Sequence, residues 1–345
     1  MSVKLQIKQP PITSYQQIAL PLTVAMMNPT AENWFYSNYI QVLCVNRRHY
    51  LSKGNCDNAL HYGFYNPEIT SPESAEHICI EGCRQLYLFK KLSFIKEAVD
   101  DGWYIYTDAD MFYIDGSDGF EKAHYSHDLL IYGYDIENVY IYMYDESKLT
   151  SHKVSYSNFW QGYYSEYCNE KFYRNRAILF KPNTKVCEVN LEKIRWHMND
   201  YLNGTETFAR ENPNVFHPDS LTMNGIDTYL EFDKLIDYAI QNNHKNLRRS
   251  DMYCLYEHKK VMFDRVVYLN ERDFLKASSE LIEEFESIKK QAQILMLLGL
   301  KVNTLNESER KNSTLLVIKE KLHVLKQVEE SAWYKYIDMN REVLG

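Results

Sequence analysis

Strand-like and helix-like segments alternate along the first third of the chain, and this alternation constrains the fold more than any other sequence feature. The apolar, β-branched stretch Gln17–Met27 predicts a strand, and apolar residues at three- and four-residue steps predict a helix over 31–53. Leu60–Tyr65 predicts a second strand, 81–99 a second helix and Trp103–Thr107 a third strand. Because strands joined by helices form parallel sheets, we expect an α/β fold with a mostly parallel sheet.

The last 70 residues have a different pattern. Further strands are predicted over 128–135 and 176–181, with a helix over 186–201, but two amphipathic helices follow from about Lys276. Their apolar stripes are Ile282, Phe285, Ile288, Leu295 and Leu298 in the first helix, and Leu315, Ile318, Leu322, Leu325 and Val328 in the second. The sequence therefore predicts a catalytic or binding domain over 1–275 and a C-terminal helical hairpin over 276–345.

Asp108 and Asp110 follow the predicted strand Trp103–Thr107 and are separated by one residue. Alternate residues of a strand project to the same side, so both carboxylates would lie at the strand end where open α/β sheets bind ligands. Carboxylate oxygens suit Mg²⁺ or Mn²⁺. A solvated turn with two acids is the alternative, but the apolar segments on both sides favour a cation. The sequence therefore predicts a divalent metal site.

Four stretches together carry a family resemblance: SNYIQVLCVNRRHYLSKGNC at 37–56, KKLSFIKEAVDDGWYIYTDADMFYID at 90–115, DLLIYGYD at 128–135 and NRAILFKPN at 175–183. In them the sequence resembles the GT-A nucleotide-sugar glycosyltransferases with a DxD motif, of the galactosyltransferase or nucleotide-diphospho-sugar transferase type. The resemblance extends over about 17–235. It implies a Rossmann-like GT-A domain that moves a hexose from a UDP-sugar donor with the help of Mn²⁺ or Mg²⁺.

The resemblance also implies roles for individual residues. Asp108 and Asp110 would bind the metal and the donor, Asn175 would lie near the donor sugar, and Asp219 would take the place of a family aspartate near the reacting groups. Two neighbours depart from the family pattern, because Ala177 stands where glycine is usual and Ser220 where glutamine is usual.

Three more residues are predicted to serve the donor side. His258 is the candidate for the third metal ligand, with a packed or surface histidine as the alternative. Lys91, or its neighbour Lys90 or Arg84, would neutralise the charge that develops on the diphosphate leaving group, unless these cations only solvate a helix face. Asn28 would contact the nucleoside base, and a simple Asn-Pro turn is the other interpretation.

The acceptor side is predicted from aromatic residues. Eleven of the 29 tyrosines lie within 124–180, and Trp160 lies among them in the polar and aromatic segment SNFWQGYYSEY at 157–167. Flat aromatic faces can stack on sugar rings, although aromatic clusters also build cores. We expect Trp160 to bind a glycan or protein acceptor. The resemblance to the GT-A enzymes implies, in addition, that the anomeric configuration is retained.

Composition excludes several classes of protein. A net charge of −8 argues against nucleic-acid binding. The longest apolar run, Ile18–Met27, is too short to span a membrane, and the N-terminus lacks the pattern of a signal peptide. Seven scattered cysteines indicate reduced thiols. We therefore expect a cytoplasmic enzyme without a transmembrane segment. The alternative is a catalytically inactive GT-A-fold protein that acts as a binding or scaffold protein.

Overall fold

The protein forms two compact units in a computed structural model. Unit 1 comprises Met1–Trp34 with Pro67–Glu188, and unit 2 comprises Phe35–Asn66 with Val189–Gly345. The structure describes residues 2–46, 60–65, 80–87, 92–145, 148–169, 176–207, 210, 222–242 and 247–345.

Unit 1 is built on an antiparallel sheet. Its strand order is β4-β9-β5-β6-β7-β8, and β1 pairs with β6. The strands are β1 (Val3–Lys4), β4 (Ile80–Tyr87), β5 (Tyr104–Asp110), β6 (Ser126–Tyr134), β7 (Asn138–Asp145), β8 (Lys148–Ser155) and β9 (Arg176–Pro182).

Helices cover the sheet of unit 1. Residues of α3 and α4 belong to one apolar cluster with residues of β5, β6, β7, β8 and β9, including Ile105, Leu129 and Phe159. Helix α1 packs against β5, β6, β7 and β9 with residues outside that cluster. The helices are α1 (Gln16–Ala25), α2 (Ala31–Ser37, which crosses into unit 2), α3 (Leu92–Asp100), α4 (Tyr156–Tyr163) and α5 (Glu166–Asn169).

The prediction of a mostly parallel Rossmann-like GT-A sheet is wrong. Every strand pair among the described residues is antiparallel, in both units. Residues 135–137 alone connect β6 to β7, and so short a connection permits only an antiparallel pair, because parallel neighbours need a crossover of about a dozen residues or more.

Misassigned segments produced that error. The stretch predicted as a strand over 17–27 is helix α1, which is buried along nearly its whole length despite Pro21. An apolar run buried on all sides carries no periodicity that separates a helix from a strand. The helix predicted over 31–53 ends at Ser37, and a strand follows at Val42–Asn46. The helix predicted over 81–99 begins only at Leu92, after strand β4.

Unit 2 combines a small antiparallel sheet with long helices. The strand order is β10-β2-β3, in which β2 is Val42–Asn46, β3 is Leu60–Phe64 and β10 is Thr222–Asn224. The helices are α6 (Leu191–Asn203), α7 (Thr228–Gln241), α8 (Arg249–Glu271), α9 (Ser279–Thr304), α10 (Ser308–Met339) and α11 (Arg341–Leu344).

Helices α9 and α10 occupy the segment in which the sequence predicts two helices. Helix α9 packs against α8 and α10. The rings of Phe285 and Trp333 meet edge to face with their centroids 4.6 Å apart, and both side chains are buried. Of the two predicted stripes, Phe285, Ile288, Leu295, Leu315, Ile318, Leu322 and Leu325 are buried in unit 2, whereas Val328 is 36% exposed. Within the described residues, no helix has both the length and the apolar composition that a membrane crossing requires.

Candidate functional site

The Asp-Ala-Asp sequence lies at the end of β5, between β6 and β9. In the register of β5 and β6, Asp108 lies opposite Asp128, and Asp110 lies opposite Ser126. Because the sheet is antiparallel, this end of β5 is not the edge of a parallel sheet that the sequence predicts. The register instead brings a second carboxylate, that of Asp128, next to the partly buried Asp108.

Asp110 is a buried acceptor for four hydrogen bonds. Its Oδ1 accepts from the backbone N–H groups of Phe112 (3.1 Å) and Tyr125 (3.2 Å). Its Oδ2 accepts from Nδ1 of His124 (2.8 Å) and from the hydroxyl of Ser165 (2.6 Å). The Asp110 side chain has no solvent exposure. It therefore ties the β5–β6 connection and the start of α5 to the end of β5.

This environment does not suit a metal ligand. Both oxygens of Asp110 already accept two hydrogen bonds each, so a cation would have to displace buried donors. In the described part of the chain, no three His, Cys, Asp or Glu side chains are grouped so that they could hold a metal ion. The predicted Mn²⁺ or Mg²⁺ thus has no fitting donor set in those residues.

His127 and Asp128 form the most chemically capable pair in unit 1. Nδ1 of His127 lies 2.6 Å from Oδ1 of Asp128, and the Tyr106 hydroxyl donates to Oδ2 at 2.9 Å. The carboxylate is held from both sides and its side chain is 13% exposed, whereas the imidazole is 45% exposed. Among the described residues, Nε2 of His127 has no hydrogen-bond partner. This arrangement leaves one imidazole nitrogen available to a ligand.

The charges around His127 favour its protonated form. Burial by itself lowers the pKa of the imidazole, but the hydrogen bond and the charge of Asp128 outweigh burial. The negative charge of Asp108 acts in the same direction. The pKa of His127 therefore lies above its usual value of 6.5.

Helix α1 holds this pair in place. The side chain of Gln16, in the first turn of α1, is buried, and its Nε2 lies 3.1 Å from Nδ1 of His127. The same amide donates to the backbone carbonyl of Asp128, and its oxygen accepts from the backbone N–H of Tyr144 at 2.6 Å. Because Nδ1 of His127 donates to Asp128, it cannot also accept from Gln16, so Gln16 links the backbones of β6 and β7 beside the pair without a hydrogen bond to the imidazole.

Cys168 is a candidate for a protein nucleophile among the described residues of unit 1, but its thiol is protonated. The side chain is buried and donates to the carbonyl of Gly162 at 3.3 Å. Burial raises the pKa of Cys168 to about 11, and the charges of Asp108 and Asp110 add to this effect. At neutral pH the thiolate form, which is the nucleophile, is essentially absent.

Three aromatic rings form a stack beside Asp110. The His124 ring lies parallel to the Phe112 ring, with centroids 4.1 Å apart and an angle of 18°, and parallel to the Tyr167 ring at 4.5 Å and 9°. Tyr167 is 44% exposed. The stack Phe112–His124–Tyr167 therefore ends on an aromatic face at the protein surface.

Two residues that the sequence predicts to bind ligands, Trp160 and Asn28, are buried against other protein groups. Trp160 on α4 is buried in the apolar cluster of unit 1, where it packs edge to face against Phe159 at 5.0 Å. Asn28 is buried, and its amide donates to the carbonyls of Asn183 and Lys185 at 3.0 and 2.8 Å. The contacts of Trp160 and Asn28 favour packing roles.

His258 lies in unit 2, on α8, and is fully buried. Nε2 lies 2.8 Å from the carbonyl oxygen of Ile40, and Nδ1 lies 3.0 Å from Nζ of Lys259. Burial lowers the pKa of His258 well below its usual value, and the charge of Lys259 lowers it further. Its ring is therefore held neutral among protein groups. Lys91, Lys90, Asn175 and Asp219 lie outside the described residues.

The sequence reasoning missed His124, His127, Asp128 and Ser165. The run His-Tyr-Ser-His-Asp at 124–128 offered a signal, because two histidines and an acid directly precede the apolar part of β6. Only the antiparallel register, which brings Asp128 opposite Asp108, shows that this run lies beside the Asp-Ala-Asp sequence.

Comparisons with known proteins do not assign the chain to a family. No protein-family model matches the sequence, and no curated protein matches it either.

Proposed function

We propose that the protein is a transferase in which His127 acts as the general base and Asp128 orients its imidazole. The observation that carries this proposal is the 2.6 Å contact between Nδ1 of His127 and Oδ1 of Asp128. The His127 side chain is 45% exposed, so a ligand can reach it. A carboxylate on Nδ1 fixes the tautomer, so that the lone pair of Nε2 can accept a proton from a substrate.

The proposed substrate of the base is a hydroxyl group. Cys168 is protonated and buried, and among the described residues no nucleophilic side chain is hydrogen-bonded to Nε2 of His127. A base without a protein nucleophile acts directly on the acceptor or on water. The acceptor is thus a glycan or protein hydroxyl, as the sequence predicts.

The donor in this proposal is a UDP-sugar, and the sequence resemblance alone supports that choice. The O–H bond of the acceptor breaks and its proton moves to Nε2 of His127. The acceptor oxygen then bonds to the anomeric carbon, and the bond from that carbon to the phosphate oxygen breaks, so that its electron pair leaves with UDP. A single displacement of this kind inverts the anomeric centre, so we propose inversion in place of the retention expected from the sequence.

The test is turnover of a panel of UDP-sugars, with and without simple glycoside acceptors, by the wild-type protein and the His127→Gln variant. We expect UDP release by the wild-type protein and a loss of about 10²- to 10⁴-fold in the variant. His323→Gln is the matched control, because His323 also contacts a carboxylate, that of Asp233, at an exposed site in unit 2. Full turnover by His127→Gln would refute the role of the base.

A binding protein without turnover is the second candidate. The hydrogen bonds of Asp110 favour this candidate, because both of its carboxylate oxygens accept from protein donors and none of these bonds involves a substrate. Saturable binding of UDP with no consumption of any UDP-sugar would select this candidate.

A further inference from the structure

The exposed end of the Phe112–His124–Tyr167 stack differs from the aromatic packing in the core of unit 1. In that core, Trp160 and Tyr163 meet at an interplanar angle of 82° and Phe159 and Tyr163 stack at 25°, and all three rings are buried. Tyr167 lies within 9° of parallel to His124 and keeps 44% of its surface exposed. In the described part of the chain, His124 is the only ring that stacks on Tyr167.

The stack is fixed by polar contacts beneath it. Nδ1 of His124 donates to the buried Asp110 at 2.8 Å, so the central ring cannot rotate without breaking that bond. The Ser165 hydroxyl donates to the same carboxylate oxygen, and Ser165 Oγ accepts from the backbone N–H of Tyr167 at 3.3 Å. An aromatic surface ordered in advance loses little entropy when a ligand binds to it.

The stack lies close to the proposed base along the chain. His124 precedes His127 by three residues on the approach to β6. Between them, the backbone N–H of Tyr125 donates to Asp110, and the ring centroid of Tyr125 lies 6.5 Å from that of His127.

We propose that the outer face of Tyr167 binds the nucleobase of a nucleotide ligand. A flat conjugated base places its own π-face against the Tyr167 ring and so continues the stack, whereas a sugar ring can present only its C–H groups. The choice of a nucleotide rests on the proposed function. The stack supplies no base-edge hydrogen bonds, so we expect it to accept uracil and other bases with similar affinity.

Binding of uridine 5′-monophosphate, measured by titration calorimetry, tests this proposal. Base stacking on an aromatic side chain corresponds to a loss of roughly 5- to 150-fold in affinity when the ring is removed. We expect such a loss for Tyr167→Ala and Tyr167→Leu, the second of which keeps apolar bulk. Tyr167→Phe should bind like the wild-type protein, because it keeps the ring.

Tyr164→Ala is the matched control. Tyr164 is 39% exposed and stacks on Trp160 with centroids 5.8 Å apart. The Tyr164→Ala substitution therefore removes a comparable surface ring outside the Phe112–His124–Tyr167 stack. Equal affinity for the nucleotide in Tyr167→Leu and the wild-type protein, or no binding by the wild-type protein at all, would overturn the proposal.

The same variants separate this proposal from the proposed function. If His127→Gln binds the nucleotide normally and also turns over UDP-sugars normally, His127 is not the general base, and the nucleobase site is unaffected by that result. If Tyr167→Leu binds the nucleotide normally while His127→Gln loses turnover, the nucleobase site fails and the role of the base stands.

Discussion

Lys259 and Glu329 form an ion pair of 2.8 Å inside unit 2, and both side chains are at most 1% exposed. The hydroxyls of Tyr201 and Tyr229 donate to the two oxygens of Glu329, each at 2.8 Å. Helices α6, α7, α8 and α10 thus converge on one carboxylate. Burial lowers the pKa of Lys259, and the charge of Glu329 opposes that effect.

Removal of the Glu329 charge should strongly destabilise unit 2. Glu329→Gln keeps the shape of the side chain but leaves Lys259 as a buried charge without its counterion, which costs about 3–5 kcal/mol. Unfolding in urea, followed by circular dichroism, measures the loss. Glu284→Gln is the control, because the exposed Glu284–Lys335 pair contributes about 1 kcal/mol or less. Similar losses for both variants would show that the buried pair does not stabilise the fold.

The two acids of the Asp-Ala-Asp sequence should behave differently when replaced. Asp110→Ala removes the acceptor of four hydrogen bonds from a buried site, so we expect a loss of about 3 kcal/mol or more in the free energy of unfolding. Asp108→Ala, at a partly buried position, should cost about 1 kcal/mol or less. Urea unfolding of both variants checks this order, and the reverse order would contradict the structural role of Asp110.

Turnover should rise with pH, because His127 acts as a base only when it is deprotonated. Its pKa is raised above 6.5, so the midpoint of the rise should lie above pH 6.5. Asp128→Asn removes the group that raises this pKa while burial still lowers it, so the midpoint should move to lower pH. The pH profile of kcat/KM measures both. An unchanged midpoint in Asp128→Asn would assign the titration to another group.

Gly225 should not tolerate a side chain. It has a φ of +55°, and an added Cβ would lie 2.1 Å from the carbonyl oxygen of Tyr201. Left-handed strain and this backbone clash together should cost Gly225→Ala about 2–5 kcal/mol. At Gly102, also left-handed, the nearest atom to an added Cβ is Cε of Lys181 at 3.5 Å, so Gly102→Ala should cost only about 1–2 kcal/mol. Thermal unfolding compares the two variants.

Local patterns predicted those elements whose residues alternate or recur with a clear period. The strand predicted at Leu60–Tyr65 is β3, and the strand at 176–181 lies within β9. Helix α1 was predicted as a strand because burial on all sides removes the polar face that reveals the period. The pairing of β4 and β5 with β9 depends on contacts distant in sequence, so that part of the antiparallel order could not be obtained from local segments.

The sequence predicted the Asp-Ala-Asp motif of the candidate site but not the residues around it, for the same reason. Asp108 and Asp110 attract attention as a motif, but their surroundings depend on which strand lies beside β5. Asp128 becomes a neighbour of Asp108 only through the antiparallel register, and Ser165 reaches Asp110 across 55 positions of sequence. Long-range contacts of this kind show that the Asp110 carboxylate has a structural role.

The division of unit 2 along the chain sets an order for its folding during translation. Strands β2 and β3 leave the ribosome early, but their partner β10 begins at Thr222 and the carboxylate that joins the helices is at Glu329. At about 5–20 residues per second, the nascent chain waits on the order of ten seconds or more before unit 2 can close. During that interval the side chains of Cys44 and Tyr62, which are buried in the finished protein, have no core to enter. Nascent chains that end before α10 are therefore the ones that should depend on chaperones.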